Sequence, residues 1–113
     1  MSLKDHMRAL ETAEQFSEAK EQDGISVFVF SANWCPDCRF IEPFMPRLIE
    51  KYSDYNFYYV DRDQWISLAQ EQMVMGIPSF IGVGQGKELG RFVSKLRKSE
   101  AEIDAFFASL NNN

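Results

Sequence analysis

The chain carries two cysteines, Cys35 and Cys38, with only Pro36 and Asp37 between them. Two thiols at this spacing suit redox chemistry or metal binding, because the pair can oxidise to a disulfide or ligate a soft cation. Metal binding is the weaker hypothesis, since a closed zinc site needs four ligands and the one histidine, His6, lies in a separate segment. Only a dimer that shared two cysteine pairs would complete such a site, so we expect no metal and no other cofactor.

The proline between the cysteines indicates where a helix begins. Proline disfavours helical geometry at the residue before it and suits the first helical position, so Cys35 is predicted as the N-cap and Cys38 as a residue of the first turn. Positions three apart on a helix lie ~5–6 Å apart, within reach of a disulfide. The positive end of the helix favours the thiolate of Cys35. We expect Cys35 to be exposed and Cys38 to lie one turn inward.

Length and composition limit the classes of protein to which the chain can belong. Its 113 residues, 45% of them hydrophobic, suffice for one domain with a buried core. The net charge of −5 argues against a nucleic-acid partner, which needs a concentrated basic surface. No run reaches the ~18 apolar residues of a membrane span, and the first residues lack the apolar segment of a signal peptide. We therefore expect a cytoplasmic protein without a membrane partner.

The apolar pattern predicts an alternation of helices and strands, and hence an α/β fold. The run 25–30 is nearly continuously apolar, which is typical of a central strand covered on both faces. Pro43 is expected to kink the second helix, and Ser99 to begin the last one as the N-cap of a capping box. Helices are predicted over 3–21, 35–52, 64–73 and 99–110, and strands over 25–30, 56–60, 79–83 and 88–93. A single domain over 1–113 follows, with 1–8 as a helical extension and 111–113 as a frayed tail.

A basic stretch accompanies the predicted hairpin near the C-terminus. Between positions 87 and 98 there is one acid, Glu88, and the basic residues are Lys87, Arg91, Lys95, Arg97 and Lys98. Long basic side chains commonly protect the edge strand of a sheet, so a solvated edge is the preferred interpretation. A docking patch for acidic partners is the alternative.

Two segments resemble the thioredoxin family. Ser31-Ala32-Asn33-Trp34-Cys35-Pro36-Asp37-Cys38 is similar to its active-site segment, and Gly76-Ile77-Pro78-Ser79 is similar to its cis-proline loop. The resemblance implies a thioredoxin-like fold, a mixed sheet of about four strands flanked by helices. Because a helix is predicted to lead directly from the N-terminus, we expect the family's first edge strand to be absent. It also implies that Cys35 is the nucleophile and Cys38 the resolving thiol, and that Trp34, Ile77 and Pro78 form a substrate groove.

The same resemblance predicts a function and partners. We expect a thiol–disulfide oxidoreductase that cycles between a dithiol and a Cys35–Cys38 disulfide. Its substrates would be disulfide-containing proteins or small thiols, and a cellular disulfide reductase would restore the dithiol. We expect the protein to act as a monomer.

Four departures from the family's pattern bear on this prediction. Val29 replaces a buried acid six residues before Cys35, Phe57 replaces a lysine, and Ser94 replaces a glycine near the groove. Pro36 and Asp37 stand between the cysteines instead of glycine and proline, and the carboxylate of Asp37 is expected to moderate the reactivity of Cys35. Because the acid is missing, a binding or chaperone module with little turnover is the alternative function.

Overall fold

The structure is a computed structural model that describes residues 3–112. The strands are β1 (Arg8–Ala9), β2 (Ser26–Ser31), β3 (Asn56–Asp61), β4 (Ser79–Gly84) and β5 (Lys87–Phe92). The α-helices are α1 (Glu14–Glu21), α2 (Pro36–Ile41), α3 (Met45–Lys51), α4 (Ile66–Glu71) and α5 (Glu100–Ser109). Short 3₁₀ turns cover Leu3–His6 and Leu110–Asn112. No helix in the range 3–112 is long and apolar enough to cross a membrane.

The five strands form one mixed sheet in the order β1-β3-β2-β4-β5. β3 runs parallel to β1 and to β2, whereas β4 is antiparallel to both of its neighbours, β2 and β5. All six residues of β2 are buried. The predicted central strand is therefore confirmed, and the hairpin of β4 and β5 occupies one edge as expected.

Helices cover both faces of the sheet, and each covered face contributes a separate core. On one face Val27 and Val29 pack with buried side chains of α2, α3 and α5, including Ile41 and Phe107. On the other face Phe28 and Phe30 pack with Phe16 of α1 and with residues of α4. This arrangement explains why β2 is apolar at almost every position.

The predicted helix over 3–21 is confirmed only over α1, at 14–21, and its first part is wrong. The helical extension predicted over 1–8, of which residues 1 and 2 lie outside the described range, is wrong as well, because the described part holds a short 3₁₀ turn and the start of β1. Instead, β1 pairs with β3 and forms the first edge strand, so the sheet has five strands instead of about four. The backbone N–H of Leu10 continues this pairing by donating to the carbonyl of Tyr59 at 2.9 Å. The apolar residues that suggested one helical stripe belong to different cores, Leu3 to one face of the sheet and Leu10 to the other.

Prolines and caps set the ends of the later helices. The predicted helix over 35–52 is divided into two, because α2 ends before Pro43 and α3 begins after it. Pro43 therefore interrupts the helix instead of only kinking it. The capping box at Ser99 is confirmed: its hydroxyl accepts from the N–H of Glu102, whose carboxylate accepts from the N–H of Ser99. Of the frayed tail predicted over 111–113, residues 111 and 112 instead belong to the 3₁₀ turn Leu110–Asn112, and residue 113 lies outside the described range. Leu110 anchors this turn, since it is buried beside Gly82.

Candidate active site

The two cysteines lie at the start of α2, just beyond the end of β2. Cys35 has an extended backbone and is the N-cap, and Pro36 occupies the first helical position, as predicted. The N–H of Cys35 donates to the carbonyl of Ala32 at 3.3 Å, which closes the turn between strand and helix. Cys38 lies in the first turn, so both sulfurs are held where the helix begins.

Both thiols are free, and both cysteines are buried. Only 6% of the surface of Cys35 is exposed, against 2% for Cys38. The expected exposure of Cys35 is therefore wrong, although Cys38 is the more buried of the two. The reason is a nearby loop, because the sulfur of Cys35 lies 3.8 Å from the carbonyl oxygen of Ile77 and Ile77 packs against the small cluster that the two cysteines form with Ala32.

The surroundings of Cys38 favour its neutral form. Burial raises the pKa of its thiol to about 12, and the neighbouring Cys35 adds to this effect. Hydrogen bonds from the side chain of Ser31 and the backbone of Ala32 act in the opposite direction but are outweighed. Cys38 is therefore a thiol, not a thiolate, at neutral pH.

The loop that covers the cysteines contains a cis peptide bond between Ile77 and Pro78. The hydroxyl of Ser79 donates to the carbonyl of Gly76 at 2.5 Å and ties the two ends of the loop together. At Gly76 the backbone of Ser94 passes so close that a Cβ would lie 2.4 Å from the Ser94 carbonyl oxygen. Glycine is therefore needed at this position for close approach of two loops.

Trp34 stands beside the cysteine pair with 54% of its surface exposed. Its indole N–H donates to a carboxylate oxygen of Asp63 at 2.6 Å, and the guanidinium of Arg62 lies 5.5 Å from the centre of its ring. The large exposed apolar side chains of the described chain are Trp34, Phe40, Ile66, Met73, Met75 and Leu96. The contacts of Trp34 could not be predicted from the sequence, since Asp63 follows a different strand.

Asp37 is held by Arg97, a residue far from it in the sequence. The Nε of Arg97 lies 2.7 Å from Oδ1 of Asp37, and the same guanidinium lies 4.6 Å from the ring centre of Phe40. Arg97 belongs to the loop between β5 and α5. Because 60 positions separate the pair, no local signal in the sequence indicates it.

The basic stretch is not simply a solvated edge. Lys98 is 1% exposed, and its ammonium group donates to the carbonyls of Ser94 and Leu96 at 3.1 and 3.0 Å. Burial lowers the pKa of Lys98, whereas the charge of Asp37 is the largest influence in the opposite direction. Lys98 thus holds the loop between β5 and α5 from inside.

The remaining departures from the expected pattern lie in the core and in this loop. Val29 is fully buried and Phe57 is buried in the same cluster, while Ser94 is in contact range of Gly76.

Within residues 3–112, no group of three or more His, Cys, Asp or Glu side chains is arranged to hold a metal ion.

Comparison with protein families and known sequences supplies independent information. The family model described as Thioredoxin matches residues 7–108. Thioredoxin H2 of Arabidopsis thaliana is 38% identical over 87 residues, which cover 77% of this chain and 65% of that relative. A thioredoxin H-type protein of Fagopyrum esculentum is 37% identical over 87 residues, which cover 77% of this chain and 74% of that protein.

Among solved structures, the crystal structure of thioredoxin from Trypanosoma brucei brucei superimposes with a TM-score of 0.82. The match covers 95% of this chain and 92% of the other, at 23% sequence identity. At this identity the likeness concerns the fold alone, and it agrees with the five-stranded mixed sheet described above.

Proposed function

The chain belongs to the thioredoxin family of thiol–disulfide oxidoreductases, and we propose that Cys35 is its nucleophile and Cys38 its resolving thiol. One observation carries the proposal: two free thiols lie in the first turn of α2, where the positive end of the helix meets the Ile77–Pro78 loop. A helix N-terminus favours a thiolate at the N-cap, whereas burial keeps Cys38 protonated.

The proposed cycle has two exchanges. The Cys35 thiolate attacks one sulfur of a substrate disulfide, which forms a mixed disulfide and releases the first substrate thiolate. Cys38 then attacks the sulfur of Cys35, which releases the second substrate sulfur and leaves a Cys35–Cys38 disulfide. A cellular disulfide reductase returns two electrons and restores the dithiol. The redox-active pair needs no further cofactor for these steps.

We propose that Trp34, Ile77 and Pro78 form the wall against which a substrate lies. The exposed ring of Trp34 offers apolar contact, and the backbone of Ile77 faces the sulfur of Cys35. An extended substrate segment could hydrogen-bond to this backbone as a short added strand. Pro36 and Asp37 act as modulators, the first by fixing the start of the helix and the second by its charge.

The proposed substrates are disulfide-containing proteins or small thiols. The chain has no cysteines beyond the pair, and so few cysteines are typical of proteins from a reducing compartment. We therefore propose that the protein is cytoplasmic and that it acts there to reduce the disulfides of its substrates. The negative net charge supports partners other than nucleic acid. We also propose that the protein is a monomer.

Reduction of insulin by dithiothreitol tests this proposal. The wild-type protein is expected to accelerate the reaction, and the Cys35→Ser variant to leave it at the uncatalysed rate. Equal rates for the two proteins would contradict the proposal and favour the alternative, a binding or chaperone module. That alternative is supported by the fully buried Val29 at the position of the missing acid. The metal-carrier hypothesis predicts zinc or copper in the purified protein.

A further inference from the structure

Helix α4 ends in a turn that places a methionine in an unusual backbone conformation. The N–H of Met73 donates to the carbonyl of Gln70 at 3.1 Å. The N–H of Val74 donates to the carbonyl of Ala69 at 2.8 Å. These two bonds define a Schellman motif, in which the residue after the C-cap has a left-handed backbone and is usually glycine. Met73 occupies that position with a φ of 56°, so the turn fixes the backbone from which its side chain projects.

The residues after this turn differ sharply in exposure. Val74 packs against the core that contains Ala69. Its two neighbours, Met73 and Met75, are 68% and 71% exposed. Met45, in contrast, is fully buried in the core on the other face of the sheet. Solvent therefore reaches the thioethers of Met73 and Met75, whereas the fold shields that of Met45.

Met75 lies close to the proposed nucleophile along the chain. It is two positions before Ile77, whose carbonyl oxygen lies 3.8 Å from the sulfur of Cys35. Consecutive Cα atoms are ~3.8 Å apart, so the Cα atoms of Met75 and Ile77 are separated by at most ~7.6 Å. The exposed side chain of Met75 therefore stands at the border of the proposed substrate groove.

The segment with the two methionines also adjoins the surroundings of Trp34. Val74 lines a cavity of about 210 Å³ together with Arg62, Asp63 and Ile66. Asp63 accepts the hydrogen bond from the indole of Trp34, and the guanidinium of Arg62 lies over the Trp34 ring. The methionines on either side of Val74 and the exposed indole thus belong to the same side of the active site.

We propose that Met73 and Met75 form an oxidation site, at which peroxide converts the thioethers to sulfoxides and weakens the docking of protein substrates beside Trp34. The inference rests on the proposed function, because it concerns how the same site binds a substrate disulfide. Hydrogen peroxide transfers one oxygen atom to the methionine sulfur, its O–O bond breaks, and water leaves. The sulfur loses two electrons and the peroxide gains two.

Oxidation changes the polarity of this surface but adds no net charge. A methionine side chain is flexible and apolar, which suits contact with varied apolar groups. A sulfoxide oxygen accepts hydrogen bonds, so covering it with an apolar substrate segment that offers no donor is unfavourable. Since no charge is added near Cys35, we expect its reaction with a small disulfide to be unchanged.

Peroxide treatment of protein with protected cysteines tests the inference. The Cys35–Cys38 disulfide is formed first, which shields both thiols from hydrogen peroxide. Methionine sulfoxides are reversed by dedicated reductases, so dithiothreitol then restores the thiols and leaves the sulfoxides in place. Tandem mass spectrometry is expected to find one added oxygen on Met73 and one on Met75 before any appears on Met45.

Kinetics of the treated protein measure the effect on docking. The KM for insulin is expected to rise about 2- to 5-fold with kcat unchanged, which is the loss typical of a residue at the border of an interface. The rate of reaction with 5,5′-dithiobis(2-nitrobenzoate), which is too small to reach across this surface, is expected to be the same before and after treatment.

Leucine variants distinguish these methionines from damage elsewhere, because leucine keeps an apolar side chain of similar size without the thioether. Each variant is compared with itself before and after peroxide. The KM of the double variant Met73→Leu, Met75→Leu is expected to be insensitive to the treatment. The matched control Met45→Leu lacks only the buried thioether, and its KM is expected to rise by the same factor as that of the wild type.

The inference is overturned if peroxide raises the KM of the double variant as much as that of the wild type, or if the KM is unchanged once both methionines carry oxygen. Oxidation of Met45 as fast as of Met75, or a slower reaction with the small disulfide, would overturn it as well. Failure of the untreated protein to reduce insulin would instead contradict the proposed function, on which the inference rests.

Discussion

The guanidinium of Arg97 lies 2.7 Å from the carboxylate of Asp37, the residue between the two cysteines. On its own, the negative charge of Asp37 would oppose the Cys35 thiolate, as expected from the sequence. With Arg97 in place, most of that charge is balanced by a cation at hydrogen-bond distance. The pair is partly exposed, with 54% of the Arg97 side chain and 29% of the Asp37 side chain accessible, so its contribution to stability is small. The reactivity of the Cys35 thiolate is therefore a more sensitive measure of the Asp37–Arg97 pair than the stability of the fold.

We predict that Arg97→Ala slows the reaction of Cys35 with iodoacetamide by about 2- to 5-fold at neutral pH and low salt, because it leaves the carboxylate unbalanced beside the thiolate. Asp37→Asn is expected to change the rate by less, and the double variant to recover the rate of Asp37→Asn. Arg47→Ala is the matched control, since Arg47 forms an exposed ion pair with Glu100. A rate for Arg97→Ala equal to that of the control would contradict this prediction.

The features that were predicted correctly depend on neighbouring residues. Pro36 after Cys35 indicates the start of α2, Glu102 three positions after Ser99 indicates a capping box, and the apolar run of β2 indicates burial on both faces. Each signal lies within one turn or one strand, so the physics that produces it is visible in a short window.

The features that were missed depend on contacts between distant residues. β1 has two residues, too few for any periodicity, and exists because β3 offers it an open edge. Lys98 is charged by type but buried, because carbonyls of its own loop accept hydrogen bonds from its ammonium group. The pairing of Val29 with Tyr59 depends on the register between β2 and β3, which sequence alone does not provide.

We predict that Gly76→Ala lowers the free energy of unfolding by about 1–3 kcal/mol, because the new Cβ would overlap the backbone of Ser94 and neither loop can move freely. Gly86→Ala is the control. Its Cβ would meet open space, so only the positive φ of 82° opposes it, at a cost of about 1 kcal/mol. Urea unfolding of both variants checks the prediction, and a smaller loss for Gly76→Ala than for Gly86→Ala would show that the loops are not tightly apposed.

We predict that Cys38→Ser traps substrates whereas Cys35→Ser does not. With Cys38 replaced, the mixed disulfide formed by Cys35 has no resolving thiol and accumulates. Non-reducing gels of each variant incubated with a disulfide-containing protein would show a band that disappears on addition of dithiothreitol. Adducts on Cys35→Ser, and none on Cys38→Ser, would reverse the assignment of nucleophile and resolver.

We predict that the reduced protein loses stability above pH ~8.5 because of Cys38, since an unfolded cysteine has a pKa of ~8.5. In the folded protein burial raises the pKa of Cys38 to about 12, so between these values the folded state binds more protons than the unfolded state. The sign of the linkage follows: the full stability is present below the unfolded pKa and is lost as the pH rises toward the folded pKa. By pH 10 the loss amounts to about 2 kcal/mol.

Urea unfolding of the reduced protein between pH 7 and 10 measures this loss, with the Cys38→Ala variant as the reference. Tyr52 and Tyr55, whose pKa values are also raised, are common to both proteins and are not influenced by Cys38, so their effects cancel in the difference. The pKa of Tyr59 is raised chiefly by burial, which both proteins share, and to a smaller extent by Cys38. The variant is expected to be less stable at pH 7, because it leaves a small cavity, and the gap is expected to narrow as the pH rises. A gap that stays constant over this range would mean that Cys38 ionises in the folded protein as readily as in the unfolded chain.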